Sequence, residues 1–319
     1  MKKLLILLFV SQIVFGGSWR ISLDPTHRPD FANLQLANDA AQVQNGDTLY
    51  IAGNPAHYPE ATINKKLVII GTGYFFNDNN IYNGTTNVSA FLDKITFADG
   101  SEGSVITSCE IDQLWIEEVE ILIKRNWIYN LSLNPGTGNL IILQNYISGI
   151  SKSQSFILNS TVIKNNHIAS LQLSETNNTL VTNNTLHSYV TGKYLVFYNN
   201  ILYYSNAYYN LTDCDVRNNL IPQTDPAFDP ALGNQENVDM NEVFVSLTEG
   251  SEDARYMLKS GSPAIGAGVN GVDCGMFGGD SPYILSGLPA IPIIYELTIP
   301  AVGTIDNGLN VIIKARTNN

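Results

Sequence analysis

The sequence has little charge and little cysteine. Charged residues make up 14% of its 319 positions, against roughly 25% in an average soluble protein. Cysteine occurs three times, at positions 109, 214 and 274, and an odd number leaves at least one thiol unpaired within a single chain, so a disulfide scaffold is not indicated. The apolar fraction of 44% is ordinary, so the low charge does not indicate disorder.

The signatures of several functional classes are also missing. No P-loop and no HExxH segment occurs, so neither a nucleotide cofactor nor the common zinc hydrolase site is indicated. The cysteines are too dispersed to form the closely spaced ligand pairs of a structural zinc site, and we predict no metal. Acidic residues outnumber basic residues by 29 to 17, giving a net charge of −12. Because such a surface repels phosphate backbones, we expect no nucleic-acid partner.

The N-terminus is typical of a secretory signal peptide. Lys2 and Lys3 precede an apolar run over residues 4–10, and small residues follow at Gly16 and Gly17. The run is too short to cross about 30 Å of hydrocarbon, so we expect cleavage and no membrane span afterwards. The prediction is a signal peptide over residues 1–16 and a mature protein that is secreted, or held at the cell surface or in the periplasm of a bacterial-type cell.

Asparagine, glycine and tyrosine are plentiful. The 36 Asn, 25 Gly and 16 Tyr residues favour strands and bends over helices. In the middle of the chain an apolar-apolar-x-x-Asn-x-apolar pattern recurs about every 18 residues, a period too short for paired-helix repeats. Its marker positions are Cys109, Asn126, Asn145, Asn166, Asn184, Asn200 and Asn219. A coil of β-strands is the repeat architecture that remains.

An aliphatic residue follows two positions after each marker. These residues are Ile111, Ile128, Ile147, Ile168, Leu186, Leu202 and Ile221. Stacked coils would turn them into one buried ladder, in which full burial contributes about 1.5–3 kcal/mol for each side chain. For the markers we predict two roles. Asn tolerates the left-handed conformation of a bend between flat strands, and stacked amides can hydrogen-bond from coil to coil.

Two regions outside the repeats resemble a known family. They comprise Ala40-Ala41, residues 44–51, Tyr58-Pro59-Glu60 and residues 63–71, and then residues 258–268 and 273–278. They are similar to the opening and closing segments of right-handed parallel β-helix proteins of the pectin-lyase-like superfamily. The resemblance implies an all-β fold, a single-stranded right-handed parallel β-helix (solenoid) in which residues 31–41 form an N-terminal helical cap.

The end of the chain departs from the coil pattern. Residues 293–299 and 311–316 are predicted to be strands around the turn residues Asp306, Asn307 and Gly308, which gives a C-terminal β-hairpin-like tail. The predicted organisation is therefore a signal peptide (1–16), a lead segment (17–30), the parallel β-helix (31–282) and a strand-rich tail (283–319).

The resemblance also implies a possible chemistry. Lyases of this superfamily cleave acidic polysaccharides by β-elimination, with Asp or Glu ligands for Ca²⁺ and an Arg or Lys base. The dense charge group in the repeats consists of Glu110, Glu117, Glu118, Glu120, Lys124 and Arg125. Regular alternation would put Glu118 and Glu120 on one side of a strand, where several oxygen ligands could converge on Ca²⁺. The alternative is a solvated coil edge without any cofactor.

The positions next to the aliphatic ladder are rich in rings. Coil stacking would gather six of them on one outer strip, namely Trp127, Tyr129, Tyr146, His167, His187 and Tyr203. Rings with polar edges can pack against sugars while hydrogen-bonding to them. Strand propensity, or cover by the tail hairpin, would explain the same rings without a ligand.

Two functions remain open from the sequence. The first is a secreted, noncatalytic surface or glycan-contacting protein, whose partner is a polysaccharide or a cell-surface glycan met by the six-ring strip. The second is a polysaccharide lyase, or a related carbohydrate-active enzyme that acts on extracellular polysaccharide. A fold hosts many functions, so catalytic residues are not assigned, and a convergent charged groove is the feature that would favour the lyase.

Overall fold

The computed structural model describes residues 16–79, 88–153, 156–300 and 308–317. Within them the chain forms a parallel β-solenoid of about 8 turns, followed by a separate antiparallel sheet of two strands. The strands are β1 (Ser18–Ile21), β2 (Thr48–Ile51), β3 (Ala61–Ile63), β4 (Val68–Ile70), β5 (Phe91–Phe97), β6 (Val105–Thr107), β7 (Glu110–Ile116), β8 (Leu122–Lys124), β9 (Trp127–Leu133), β10 (Ile141–Leu143), β11 (Tyr146–Lys152), β12 (Leu158–Asn159), β13 (Val162–Lys164), β14 (His167–Thr182), β15 (Thr185–Tyr198), β16 (Ile201–Leu202), β17 (Tyr208–Thr212), β18 (Asp215–Arg217), β19 (Ile293–Thr298) and β20 (Ile312–Arg316).

Helices are few and short. The α-helices are α1 (Leu34–Asp39) and α2 (Met240–Val243), and 3₁₀ turns occur at Pro25–His27, Pro230–Leu232, Ala254–Tyr256, Val269–Gly271 and Leu285–Gly287. Helix α1 confirms the predicted N-terminal helix, and the Asn33 side chain caps it by accepting from the Leu36 N–H at 2.9 Å. Leu34 and Ala37 of α1 are buried in the solenoid core. In the described part of the chain, none of the helices has the length and apolar character needed to span a membrane.

The solenoid has two main faces. The narrow face stacks the short strands β1, β2, β4, β6, β8, β10, β13 and β18 with the C-terminal parts of β14 and β15. The broad face stacks β3, β5, β7, β9, β11 and β17 with the earlier parts of β14 and β15. All of these pairings are parallel. Because β1 pairs with β2, the parallel stacking begins at Ser18, inside the segment predicted as a lead.

The predicted aliphatic ladder is confirmed. All seven residues, from Ile111 to Ile221, have 0% exposure. Strand pairing joins the ladder directly from Ile111 through to Leu202. In the next turn the Leu220 carbonyl accepts from the Leu202 N–H at 2.9 Å, and Ile221, the residue after Leu220, continues the ladder. The repeat therefore defines the core because every turn delivers one apolar side chain to the same line.

The predicted amide ladder is confirmed as well, and it is longer than predicted. Each marker Asn from 126 to 219 is fully buried, and its Oδ1 accepts from the backbone N–H of the preceding marker at 2.8–3.1 Å. Asn234 adds one further rung, since its Oδ1 accepts from Asn219 N at 3.0 Å. The ladder thus satisfies polar backbone groups that the solenoid buries at every bend.

The predicted left-handed role of the markers is wrong by one residue. Positive φ, between 51° and 61°, occurs instead at the residue just before each marker. These bend residues are Ser108, Arg125, Gln144, Asn165, Asn183, Asn199 and Asn218. The marker needs its side chain directed inward to join the ladder, so the residue before it adopts the left-handed conformation.

A closing segment, residues 222–288, covers part of the solenoid exterior. Its last part, residues 267–288, is here called the strap, and it crosses the bends from the turn of Asn218 to that of Arg125. Six bend residues hydrogen-bond to the strap backbone: Arg125 Nη1 to Leu288 O (3.1 Å), Gln144 Nε2 to Pro282 O (2.6 Å), Asn165 Nδ2 to Gly278 O (2.7 Å), Asn183 Nδ2 to Asp273 O (2.9 Å), Val269 N to Asn199 Oδ1 (2.8 Å) and Asn218 Nδ2 to Ala267 O (3.1 Å). Gly287 permits the close approach, because a Cβ there would lie 2.6 Å from Arg125 O.

The predicted pair of antiparallel C-terminal strands is present. Strands β19 and β20 pair antiparallel, with Leu297 opposite Ile313. Of the predicted turn, Gly308 has a φ of 64°, whereas Asp306 and Asn307 lie outside the described residues. The predicted signal peptide also lies outside them, except for Gly16. The three cysteines are free, and burial raises the pKa of Cys109 and Cys274 to about 12.

Candidate functional site

The structure brings the six predicted rings together. Trp127 and Tyr129 have ring centroids 5.0 Å apart, Tyr146 stacks on His167 at 4.2 Å, and His187 lies 4.9 Å from Tyr203. Phe75, from a loop before the repeats, links the first two groups because its ring lies 4.5 Å from Trp127 and 5.3 Å from Tyr146. The rings lie on the outside of the coil, as predicted.

This aromatic cluster is covered by other parts of the chain. Tyr256 of the closing segment stacks on His167 at 4.6 Å, and Phe244 packs edge-on against Tyr203 at 5.9 Å. His167 is only 3% exposed, so the expectation of an open strip is wrong at this position. Among the described residues, the cover comes from Phe75 and the closing segment, whereas the sequence also allowed cover by the tail hairpin. Rings of the same chain therefore pack against this part of the strip.

The hydrogen bonds within the cluster are internal. His167 Nε2 bonds to Tyr203 OH at 2.9 Å, and Tyr203 OH bonds to Tyr256 OH at 2.8 Å. Burial lowers the pKa of His167 to about 3, with His187 and Arg255 adding a smaller electrostatic effect in the same direction. His167 is thus neutral at ordinary pH, and the cluster has the character of a packed structural layer.

The predicted charge group does not converge. Residues 117–120 lie between β7 and β8, outside both strands, and Glu120 has a φ of 61°. The expected alternation of Glu118 and Glu120 along one strand is therefore wrong. Arg125 is buried, and its Nε donates to Gln144 Oε1 at 3.0 Å while its Nη1 donates to the strap. Among the described residues, no group of three or more His, Cys, Asp or Glu side chains is placed to hold a metal ion.

Glu110 lies apart from the rest of that group. Its Oε2 accepts from Ser89 Oγ, and its Oε1 accepts from Tyr129 OH at 3.4 Å. Burial raises the pKa of Glu110, and burial with the neighbouring Glu110 charge raises the pKa of Tyr129 to about 12. Tyr129 also lines a groove on the adjoining broad face.

That broad face is open and carries two outward ladders. Strand pairing aligns one ladder as Lys94, Gln113, Asn130, Gly149, Ser170, Tyr189 and Tyr208, and the other as Thr96, Trp115, Ser132, Ser151, Gln172, Thr191 and Asn210. The side chains between them, such as Leu114, Leu131 and Leu171, point inward and are fully buried. Alternation along each strand therefore forces the polar residues outward.

The outward ladders line shallow grooves that follow one another along the solenoid axis. The central groove has a volume of about 500 Å³ and runs from Gln113 and Trp115 to Gln172. Gln172 also borders the next groove, of about 390 Å³, which extends to Tyr208 and Asn210. Together they form one continuous surface, here called the broad-face groove.

Aromatic side chains stand at both ends of the broad-face groove. Tyr189 and Tyr208 are stacked at 5.1 Å with an interplanar angle of 22°, and they are 39% and 52% exposed. At the other end Trp115 holds the Lys94 ammonium 3.5 Å from its ring centroid. The pair of tyrosines offers flat apolar area to a ligand, and the residues between the ends offer hydrogen bonds.

Sequence reasoning missed this surface. In the first turns the outward residues occur four and six positions after each marker, as with Gln113 and Trp115 after Cys109. The register of β15 slips by one residue between Leu186 and Tyr189, and β17 starts eight residues after its marker. These insertions hide the alignment of Tyr189 with Tyr208. A sequence search that let the distance from the marker vary from turn to turn could have found it.

Comparison with known proteins gives no relative to set beside this geometry: the chain matches no family model, no curated protein and no solved structure.

Proposed function

We propose that the chain is an exported, noncatalytic β-solenoid that contacts a polysaccharide or cell-surface glycan through the broad-face groove. The observation that carries the proposal is the exposed stack of Tyr189 on Tyr208, continued by uncharged polar side chains along the same face. Sugar rings present apolar faces and hydroxyl edges, and this surface offers the complement of both.

The proposal moves the contact surface away from the six predicted rings. His167 and Tyr203 then hold the closing segment to the solenoid through Tyr256 and Phe244, and Trp127 and Tyr146 pack against Phe75. Tyr129 is the one of the six that also lines the broad-face groove. Export is supported by the N-terminal charge and hydropathy pattern, and the resemblance to the pectin-lyase-like superfamily supports a right-handed coil and a carbohydrate partner.

The lyase alternative retains one observation in its favour. Glu110 and Tyr129 form a titratable pair at the edge of the broad-face groove. For β-elimination, however, a tyrosine base must lose its proton, and burial raises the pKa of Tyr129 to about 12. The shift opposes that role at neutral pH. Arg125, one of the two basic residues in the predicted charge group, is bound to the strap and to Gln144.

A polysaccharide panel tests the two functions together. Protein starting at Gly17 is assayed for binding and for release of unsaturated products. We expect binding without products, and unsaturated products that vanish in Tyr129→Phe would establish the lyase instead.

The broad-face groove is tested by replacing both exposed tyrosines. Tyr189→Ala with Tyr208→Ala should weaken glycan binding about tenfold or more, because each ring contact contributes about 0.5–1.5 kcal/mol. The matched control is Tyr50→Ala, since Tyr50 is 38% exposed but lies on the narrow face. Isothermal titration measures the affinities, and equal affinity in the double variant and the control would contradict the groove as the site.

A further inference from the structure

The broad-face groove is uncharged along its centre. Between Trp115 and Tyr189 its outward positions are Asn130, Ser132, Gly149, Ser151, Ser170 and Gln172. Amides and hydroxyls both donate and accept hydrogen bonds, so they match the hydroxyl groups of a sugar in either direction. A carboxylate or sulfate placed here would lose hydration without gaining an opposite charge.

The lysines near the two ends are already engaged. Lys94 lies over the Trp115 ring, and Lys193 pairs with Glu175 at 2.9 Å. Lys152 is buried and donates to Ser153 O at 2.7 Å and Ser174 Oγ at 2.9 Å. Among the described residues that line the groove, each lysine therefore has a partner within the chain, and the net charge of −12 further disfavours an anionic ligand.

The two outward ladders of the broad face also set the direction in which a ligand would meet repeated contacts. Ser132, Ser151 and Gln172 are partners in register, so equivalent donors recur about 4.8 Å apart along the axis. Across the axis each turn contributes one residue to each of the two outward ladders. From Trp115 to Asn210 the ladder takes five such steps, which gives a length of about 24 Å. A chain of repeating units laid along the axis meets the same chemistry at every turn.

We infer that the broad-face groove takes a neutral, unbranched polysaccharide that lies along the solenoid axis, with the exposed tyrosine stack at one end and Trp115 at the other. The inference rests on the proposed function and narrows its ligand. It also separates the chain from the acidic polysaccharides that the superfamily resemblance implies for a lyase.

The test is a titration of the full mature chain with defined oligosaccharides. The probes are neutral gluco-, xylo- and manno-oligosaccharides from dimer to hexamer, and hexamers of galacturonate and guluronate, each at low and high salt. We expect at least one neutral series to bind, with affinity rising at least tenfold from dimer to hexamer and changing less than twofold with salt. Salt independence is the mark of an uncharged ligand.

A block in the middle of the groove tests the orientation. Gln172→Trp should reduce affinity for the neutral hexamer at least tenfold and leave the dimer affinity within twofold, because the dimer needs only the tyrosine stack. Tyr50→Ala serves again as the control. Equal loss for dimer and hexamer would overturn the axial arrangement.

Two further outcomes separate the inference from the function on which it rests. Salt-sensitive binding of the uronate hexamers alone, abolished by the double tyrosine replacement, would overturn the neutral ligand and leave the groove as a glycan site. Absence of binding to every probe would overturn both.

Discussion

At each bend of the solenoid two neighbouring residues have separate structural roles. In the Asn165-Asn166 pair, Asn165 takes a left-handed φ of 54° and donates to the strap, while Asn166 is buried and bonds to the neighbouring rungs. Both roles suit asparagine, since its short amide tolerates positive φ and both donates and accepts hydrogen bonds. This division explains why the Asn-Asn dipeptide recurs at 183, 199 and 218.

Asn145→Ala should remove one rung of the ladder. The Asn145 Oδ1 accepts from Asn126 N at 2.9 Å and from Asn126 Nδ2 at 3.1 Å, and its loss leaves these two buried donors without that acceptor. Each buried unsatisfied group costs about 1–3 kcal/mol, so we expect a loss of about 3 kcal/mol or more in the free energy of unfolding. Urea denaturation measures it. Asn177→Ala, at an exposed position, should change stability by less than about 0.5 kcal/mol, and similar losses in the two variants would contradict the role of the ladder.

His167 should make the fold sensitive to acid. Its pKa is about 3 in the fold and 6.5 ordinarily, so between these values the unfolded chain binds more protons. Stability is therefore fully present above pH 6.5 and falls as the pH drops toward 3. At two pH units below 6.5 the histidine contribution to the loss is about 2–3 kcal/mol.

His167→Phe isolates this contribution. Phenylalanine can keep the stack between Tyr146 and Tyr256 and has no proton to bind. The slope of unfolding free energy against pH, measured by denaturant titration at several pH values, should be shallower in the variant between pH 4.5 and 6.5. An identical slope in both proteins would show that other groups, such as His187 with its lowered pKa, dominate the acid sensitivity in this range.

At the scale of the strand and the bend, periodic features could be predicted and aperiodic ones could not. The inward line through Ile128 and Ile147 recurs at a nearly fixed offset, so the sequence predicts it directly. The contact of Tyr256 with His167 joins positions that no repeat relates, and only the folded chain brings them together. The exposed tyrosine stack is only partly predictable. Alternation along the β-strands directs both tyrosines outward, but a one-residue register slip in β15 hides their alignment in the sequence.

Across the whole molecule, the strap changes how the turns depend on one another. In a simple solenoid each turn contacts only its neighbours, so stability adds along the axis and the ends can open separately. Here residues 267–288 bond to the bends of six successive turns, from Asn218 back to Arg125. The strap thus connects turns that share no strand pairing, and we expect these turns to unfold together.

Two of the bend residues that hydrogen-bond to the strap, Asn165 and Asn183, can be replaced by glycine to test this coupling while the left-handed backbone of each bend is kept. Glycine accepts the left-handed φ of Asn165 and Asn183 but cannot donate to Gly278 O or Asp273 O. The free energy of unfolding of the double variant should fall by about 1–3 kcal/mol for each site that loses its hydrogen bond to the strap. Its urea m-value should also fall, because the turns no longer unfold as one unit.

Hydrogen exchange in the double variant should show that amides of β13 and β18 open at lower free energy than those of β6. Strand β6 is the reference because it precedes Arg125, the first bend residue that hydrogen-bonds to the strap. Asn178→Gly is the matched control, since Asn178 also has a positive φ, of 51°, but is exposed and bonds to Ser160. Glycine enlarges the freedom of the unfolded chain equally at each site, so the control measures that effect alone. A double variant with the wild-type m-value, and a loss per site no greater than that of the control, would show that the strap covers the bends without coupling the turns.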